Sequence, residues 1–440
     1  MSAPRVAVAS FLAAILVGTL LLSSPASGAD GQRLALIDAL FMATSALCIT
    51  GLAVIEAGVD LSALGQAVLL TLIKVGGFGV VTLGVLIALA TGRRIGFRER
   101  MSYSLAHNPS QFGGIVRLLR NVFLFMTVME LLGAGLLWLR LDAAHVENPA
   151  FVALFHGISA FNHAGLSTFP GSLERFATDP VIVLTVAALI AVASLGTVVV
   201  FELVGMARFR GPRRPRLTLH SRLALMATGS LIVGGAILMA VMEWSNPATL
   251  GEMSTLDRIT SSLFQAVTPR SAGFNTVDYG EMRQGTQLLT MLLMFVGGSP
   301  GSVAGGIKTT TFVILLASIW QISRGSRELN LFGRRVETAL IMKSAAICTS
   351  GVLLVGGSAT LLSFTDPDKG LTEIVFEVIS AVSTVGLSLG ITGELSEPGK
   401  LVVAALMFVG RIGLLTFLLA FVQKKNRPSV RYPREDVLVG

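Results

Sequence analysis

Charge is scarce in this chain of 440 residues: Asp, Glu, Lys and Arg together make up 14% of it. Average soluble domains carry about 25%. With 52% apolar residues, the balance excludes an ordinary soluble enzyme or binding module and points to an integral membrane protein. Cysteine is scarcer still. Cys48 and Cys348 are the only two, in or beside apolar segments and at no metal or redox spacing, so no disulfide framework is implied. No nucleophile, base and orienting group stand at readable spacing, which leaves no enzyme reading and no expected covalent cofactor. The formal net charge of +8 would suit nucleic acid. Its bases are confined to connections between apolar segments, however, so nucleic acid is not an expected partner.

What the chain has instead is a pattern that occurs four times. Phe41 to Leu52 reads FMATSALCITGL, Phe155 to Leu166 FHGISAFNHAGL, Phe264 to Phe274 FQAVTPRSAGF, and Phe376 to Leu387 FEVISAVSTVGL. Each copy has a Phe, then Ser or Thr four residues on (Ser45, Ser159, Thr268, Ser380), then Gly before Leu or Phe (Gly51, Gly165, Gly273, Gly386); the third is one residue shorter after Thr268. The apolar spacing predicts a short helix, and the Gly allows a backbone conformation or close approach that a side chain would hinder. Four copies at intervals of about 110 residues argue for internal repetition.

Long apolar segments flank each copy: Ala7 to Leu22 and Leu61 to Ala90; Ile115 to Leu139 and Pro180 to Phe209; Ser221 to Trp244 and Gln284 to Ile322; Val336 to Phe364 and Leu401 to Gln423. The first precedes SSPASGA and could pass for a signal peptide. Its removal would leave the first copy without the leading helix that the others have, so it is read as a spanning helix. The short helices cannot cross a hydrocarbon core of about 30 Å, so their loops return to the side of entry. The expected fold is an all-α integral membrane protein. Its four tandem helix, pore half-helix, helix modules stand pseudo-fourfold around one central pore, as in potassium channels. The module boundaries are 1–92, 93–210, 211–323 and 324–424, with a cytoplasmic tail at 425–440.

Arg93, Arg94, Arg98 and Arg100, then Arg208, Arg210, Arg213, Arg214 and Arg216, then Arg324, Arg327, Arg334 and Arg335, lie between modules. The tail adds Lys424, Lys425, Arg427, Arg431 and Arg434. The positive-inside rule makes these connections and both termini cytoplasmic, in a multi-pass protein of the cell membrane. Most acids, among them Asp38, Glu174, Asp278 and Glu394, then fall outside, where they would concentrate cations at the mouth.

Four half-helices entering from one side can surround an axis with backbone carbonyls that replace a cation's hydration shell. Glycine also allows tight helix packing in lipid, but four copies in one order favour a filter. The filter would comprise Cys48, Ile49, Thr50 and Gly51; Asn162, His163, Ala164 and Gly165; Arg270, Ser271, Ala272 and Gly273; and Ser383, Thr384, Val385 and Gly386. The helix from Gln284 is interrupted by GGSPGSVAGGIKTTT, residues 297–311. Gly297, Gly298, Gly301, Gly305, Gly306 and Pro300 cannot sustain helix, and Ser299 and Ser302 are polar at membrane depth. Such backbone survives only beside a cavity or inside protein, so a flexible loop under the filter is expected. Arg411 in FVGRIGLL is a cation in an apolar run; Lys74, Glu130 and Glu202 are also embedded, and the two acids are expected to pair across helices.

The loops CITGL, NHAGL, RSAGF and STVGL, with KVGGFG from Lys74, the glycine-rich break and GRIGLLT from Gly410, resemble the Trk, Ktr and plant high-affinity potassium transporter superfamily. The resemblance covers nearly the whole chain and is strongest to the Ktr membrane subunits. It implies potassium uptake, commonly sodium-dependent, with potassium as substrate at the filter carbonyls and sodium as an activating or coupling ion. It also implies a homodimer with one pore per chain in membrane lipid, above an octameric cytoplasmic ring of nucleotide-binding regulatory subunits. In the family the glycine-rich break is the gate, Lys308 falls in its GGIKT segment, and the arginine matching Arg411 borders the path below the filter. A first-position Ser accompanies sodium preference there, so Gly51 implies potassium. Two residues depart from the family: His163, where Asn is commoner and for which no metal partner is readable, and Lys74, where a neutral polar residue is expected. A sodium-permeable or poorly selective member of the superfamily is the nearest alternative. An inverted-repeat transporter of a small organic solute would need repeats of opposite orientation, whereas the charges give one orientation.

Overall fold

The computed structural model describes residues 3–90, 111–208, 216–326 and 328–413. Segments 91–110 and 209–215, Arg327 and everything from 414 lie outside the described residues. So do most of the basic connections, the tail at 425–440 and the end of GRIGLLT.

Four triplets of helices follow in chain order. The first is α1 (Ala3–Leu22), α2 (Leu36–Leu47) and α3 (Ala63–Ala90). The second is α4 (Gln111–Ala143), α5 (Pro149–Phe161) and a bent pair, α6 (Pro180–Leu195) and α7 (Thr197–Arg208). The third is α8 (Leu219–Glu243), α9 (Thr255–Val267) and a second divided element, α10 (Gln284–Phe295) and α11 (Thr309–Ser323). A two-residue hairpin, β1 (Asn330–Leu331) and β2 (Arg334–Arg335), leads to α12 (Thr338–Thr365), α13 (Leu371–Val382) and α14 (Glu397–Ile412). Helix starts follow local chemistry. Asp179 Oδ1 accepts from the Val181 and Ile182 amides at 3.1 and 3.3 Å, with Pro180 pre-set for the first turn. Thr218, Ser254 and Ser396 cap α8, α9 and α14.

The short helices α2, α5, α9 and α13 have 12, 13, 13 and 12 residues, about 20 Å each and too short to span. They form the buried centre: Phe41, Phe155, Phe264 and Phe376 are all at most 1% exposed. Each packs on the first helix of its own triplet (α1, α4, α8, α12) and on the helix that follows the short one in the preceding triplet: α5 on α3, α9 on α6, α13 on α10, and α2 on α14. The last contact closes the ring, and Lys400 Nζ of α14 meets Asp38 Oδ1 of α2 there at 2.7 Å. The outer helices turn Leu353, Phe364, Val241 and Leu132 outward, as a lipid-facing surface requires.

Two expected spans are not continuous. Pro180 to Phe209 breaks at Gly196, where α6 and α7 meet at 97°. The element from Gln284 divides earlier than its glycines alone suggest, α10 ending at Phe295, and Thr309 to Thr311 belong to the first turn of α11 and not to the loop. Among the described residues, three helices are long and apolar enough to cross a membrane, Leu119–Ala143, Leu219–Glu243 and Thr338–Thr365; the bent pair makes a fourth.

Candidate functional site

The four glycines meet at the centre of the ring. A Cβ on Gly51 would stand 2.6 Å from Ala164 O, one on Gly165 2.7 Å from Ala272 O, one on Gly273 2.7 Å from Val385 O, and one on Gly386 2.2 Å from Thr50 O. Each glycine therefore abuts the carbonyl preceding the next glycine, in the cyclic order first, second, third, fourth, first. Their φ values are +99°, +67°, +79° and +93°, which together with the contacts admits only glycine. Two residues earlier, Ile49, His163, Ser271 and Thr384 also have positive φ, +49°, +60°, +70° and +48°. A β-branched residue such as Ile49 enters that region only when surrounding structure imposes it. Sequence patterning gave no signal for this second left-handed position, which appears in all four loops alike.

The repeated Ser or Thr holds each loop to its helix. Ser45 and Ser380 Oγ accept from the Gly51 and Gly386 amides at 3.1 and 3.0 Å; Ser159 Oγ and Thr268 Oγ1 donate to Leu166 O and Phe274 O at 2.7 and 2.5 Å. Their own carbonyls accept from Thr50, Ala164, Ala272 and Val385 N. The shorter third copy keeps both ties.

Side chains link loop to loop. His163 Nδ1 is 2.9 Å from Ser271 O and Nε2 3.1 Å from Ile190 O. Ser271 Oγ donates to Thr384 O at 2.6 Å and accepts from Gly305 N at 2.9 Å. Arg270 sends its side chain away from the ring: Nη2 contacts Thr228 Oγ1 at 3.2 Å and Gly297 O at 3.4 Å, and among the described residues Nε and Nη1 have no hydrogen-bond partner.

The break between α10 and α11 lies directly against these loops. A Cβ on Gly305 would stand 2.0 Å from Thr384 Oγ1, and one on Gly297 1.9 Å from Gly305 O. The Gly297 and Thr309 amides donate to Ile307 O and Gly298 O, Ser299 N to Ser194 O at 2.9 Å, and Ser299 Oγ lies 3.1 Å from Thr309 Oγ1. Gly196, at φ +83°, brings its backbone against Pro300 O, and Thr197 N donates to Gly301 O at 3.2 Å. The kink that sequence reading missed thus seats this loop; Gly196, flanked at 194 and 197 by Ser and Thr, is too weak a local signal to mark it. Arg411, 5% exposed, donates from Nη1 to Val303 O at 2.6 Å and from Nη2 to Gly76 O at 3.1 Å, while Lys308 Nζ donates to Ala304 O. Gly298, Gly301, Ser302 and Gly306 complete the turn, Ser302 N donating to Ser299 O at 3.1 Å. The embedded acids do pair: Glu130 meets Lys74, and Glu202 accepts from Thr218 N and Oγ1 at 2.8 Å.

This geometry agrees with the similarity to known proteins. A family model described as TrkH, cation transport protein, matches residues 5–431. Ktr system potassium uptake protein B of Bacillus subtilis is 39% identical over 440 aligned residues, covering 99% of this chain and 96% of that protein. Potassium/sodium uptake protein NtpJ of Enterococcus hirae is 33% identical, covering 98% and 96%. The crystal structure of the potassium transporter TrkH from Vibrio parahaemolyticus superposes with a TM-score of 0.75, at 20% identity, covering 94% of this chain and 84% of that one. Four linked glycine loops in a closed ring of helix triplets, with a full-length family match, make this chain a member of the TrkH family of cation transport proteins.

Proposed function

We propose that this chain takes potassium up across the cell membrane through the ring of loop carbonyls. The observation that carries the reading is the cyclic contact of each glycine with the carbonyl preceding the next. Oxygens fixed around one axis replace a cation's hydration shell, and a purely backbone ring suits a monovalent ion. The names of the relatives support the choice of ion. The four segments 1–92, 93–210, 211–323 and 324–424 act as pore modules. Residues 297–308, with Lys308 and Arg411, act as the gate below the filter.

The active unit is a homodimer with one pore per chain, both termini cytoplasmic. The basic connections from Arg93 and Arg208, with the tail, dock an octameric ring of nucleotide-binding subunits. Sodium acts as activating or coupling ion. Isotopic uptake in cells lacking their own potassium systems, with and without sodium, tests the main reading. Accumulation of potassium in preference to sodium is expected; uptake no greater than in empty cells overturns it. Failure of the purified chain to associate with any nucleotide-binding partner from its host would overturn the docking. A sodium-permeable or poorly selective activity is the second reading, supported by the potassium/sodium uptake relative. Sodium accumulation matching potassium would decide for it.

A further inference from the structure

Behind the second loop, away from the ring of carbonyls, lies a buried ionic contact. Glu130 of α4 is 2% exposed, and its Oε2 pairs with the Lys74 ammonium of α3. Oε1 accepts a 2.7 Å hydrogen bond from Asn162 Nδ2. A carboxylate paired with an ammonium only accepts, so this contact fixes which way the amide faces. Nδ2 also donates to Ile158 O at 2.8 Å, and Oδ1 is turned to α3, where a Cβ on Gly77 would stand 1.9 Å from it. Glu130 of α4, itself paired with Lys74 of α3, thus holds Asn162 through Nδ2, while Oδ1 lies against Gly77 of α3 with no hydrogen-bond partner among the described residues.

That side chain opens the second loop. The next residue, His163, sits at φ +60° against Ser271 O, and Ser271 Oγ joins Thr384 O and Gly305 N. The ion pair therefore stands at the head of a series of contacts, joined by the Asn162–His163 backbone and by Ser271 itself, that reaches the third loop and branches at Ser271 Oγ to the fourth loop and to the gate loop. At the positions matching Asn162 the chain has Cys48, Arg270 and Ser383, so the amide clamp belongs to the second loop alone. A lone charge among apolar helices is costly, and the two partners persist as a unit.

We infer that the Lys74–Glu130 pair is a positioning device: through Asn162 it sets the separation of the second loop's carbonyls from the axis, and with it the preference among monovalent cations. This rests on the reading that the glycine ring coordinates the cation. The two fail separately, because uptake by the native chain tests the ring, whereas the pair is tested by ion binding without transport.

The experiment follows thermal unfolding of the purified full chain in detergent, and takes the potassium and sodium concentrations giving half of the maximal stabilisation. Glu130→Gln, and the double variant Lys74→Met with Glu130→Gln, are expected to change the ratio of the two concentrations by roughly tenfold or more, the size of coupling between neighbouring groups. Lys74→Arg keeps the pair and is expected to keep the native ratio. Asn162→Ala is expected to change the ratio comparably, and adding Glu130→Gln to it to change nothing further. The double variant leaves no unpaired charge and decides the matter where a single variant fails to fold. A native ratio in the folded double variant overturns the inference. So do changes from Glu130→Gln and Asn162→Ala that simply add.

Discussion

At the scale of single residues, space at the ring's centre is so short that one carbon is significant. Gly51 has φ +99° and no room for a Cβ, the nearest oxygen being 2.6 Å from where it would sit. Gly51→Ser imposes backbone strain of about 1–2 kcal/mol and moves the Thr50 and Ala164 carbonyls. Potassium preference over sodium is expected to fall in competition uptake, and an unchanged preference in the folded variant would show that Gly51 does not shape the filter. A second residue reports on the outer mouth. Glu174, between α5 and α6, is held above the usual carboxylate range by burial and by the nearby Asp278, opposed by a 2.7 Å bond from Asn275 Nδ2. A raised pKa means that the folded chain keeps a proton the unfolded chain loses. The ionised group thus costs stability, by an amount absent below the ordinary glutamate range and complete above the raised value. Glu174→Gln is expected to flatten stability against pH over that window, read by thermal unfolding in detergent.

Elements decide how the path is closed. The loop at 296–308 is longer than a kink and is tied at many points: to α6 through Ser194 O, to α7 through Thr197, to the third filter loop through Ser271, and to α14 through Arg411. Arg411→Ala removes the donors to Val303 O and Gly76 O, and deletion of Ser302 to Gly305 removes the acceptor itself. In variants that remain in the membrane as intact assemblies, flux is expected to rise and to depend less on any regulatory partner. Flux unchanged or lower, with regulation retained, would place the gate elsewhere. The sequence showed this loop through its five glycines and one proline, and showed Arg411 as a cation in an apolar run. It did not show Gly196, because one glycine in an apolar helix is ordinarily tolerated. Only the approach of Pro300 O makes a bend at that glycine necessary.

For the whole molecule, the question is what closes four triplets of one chain into a ring. Contacts between neighbours along the chain are local in topology, but α2 and α14 come from opposite ends, 362 residues apart at the Lys400–Asp38 pair. The pair is partly buried, with side-chain exposures of 14% and 22%, so it exceeds an exposed surface pair, which contributes about 0–1 kcal/mol. Lys400→Ala or Asp38→Ala is expected to lower stability by about 1–3 kcal/mol, since each leaves a partly buried charge alone. The double variant is expected to lose less than the sum. A double-mutant cycle on unfolding in detergent measures this, and strict additivity would show that the pair does not hold the ring closed.

The sequence by itself determined the membrane class, the fourfold repeat, the short helices and the four glycines, because hydropathy and a recurring Phe, Ser or Thr and Gly are properties of the chain's order. Its helix limits were less legible: the last element, expected from Leu401, starts at Glu397 behind the cap of Ser396. Tertiary structure alone decided which carbonyl each glycine faces, that Ile49 and its three counterparts must adopt positive φ, that Arg270 turns to Gly297, and that Lys74 finds Glu130 across a module boundary. The reason is that such contacts join residues up to several hundred positions apart. Local preference neither favours nor forbids them, and they arise only once the ring has closed and every buried polar group must take its partner from whatever lies beside it.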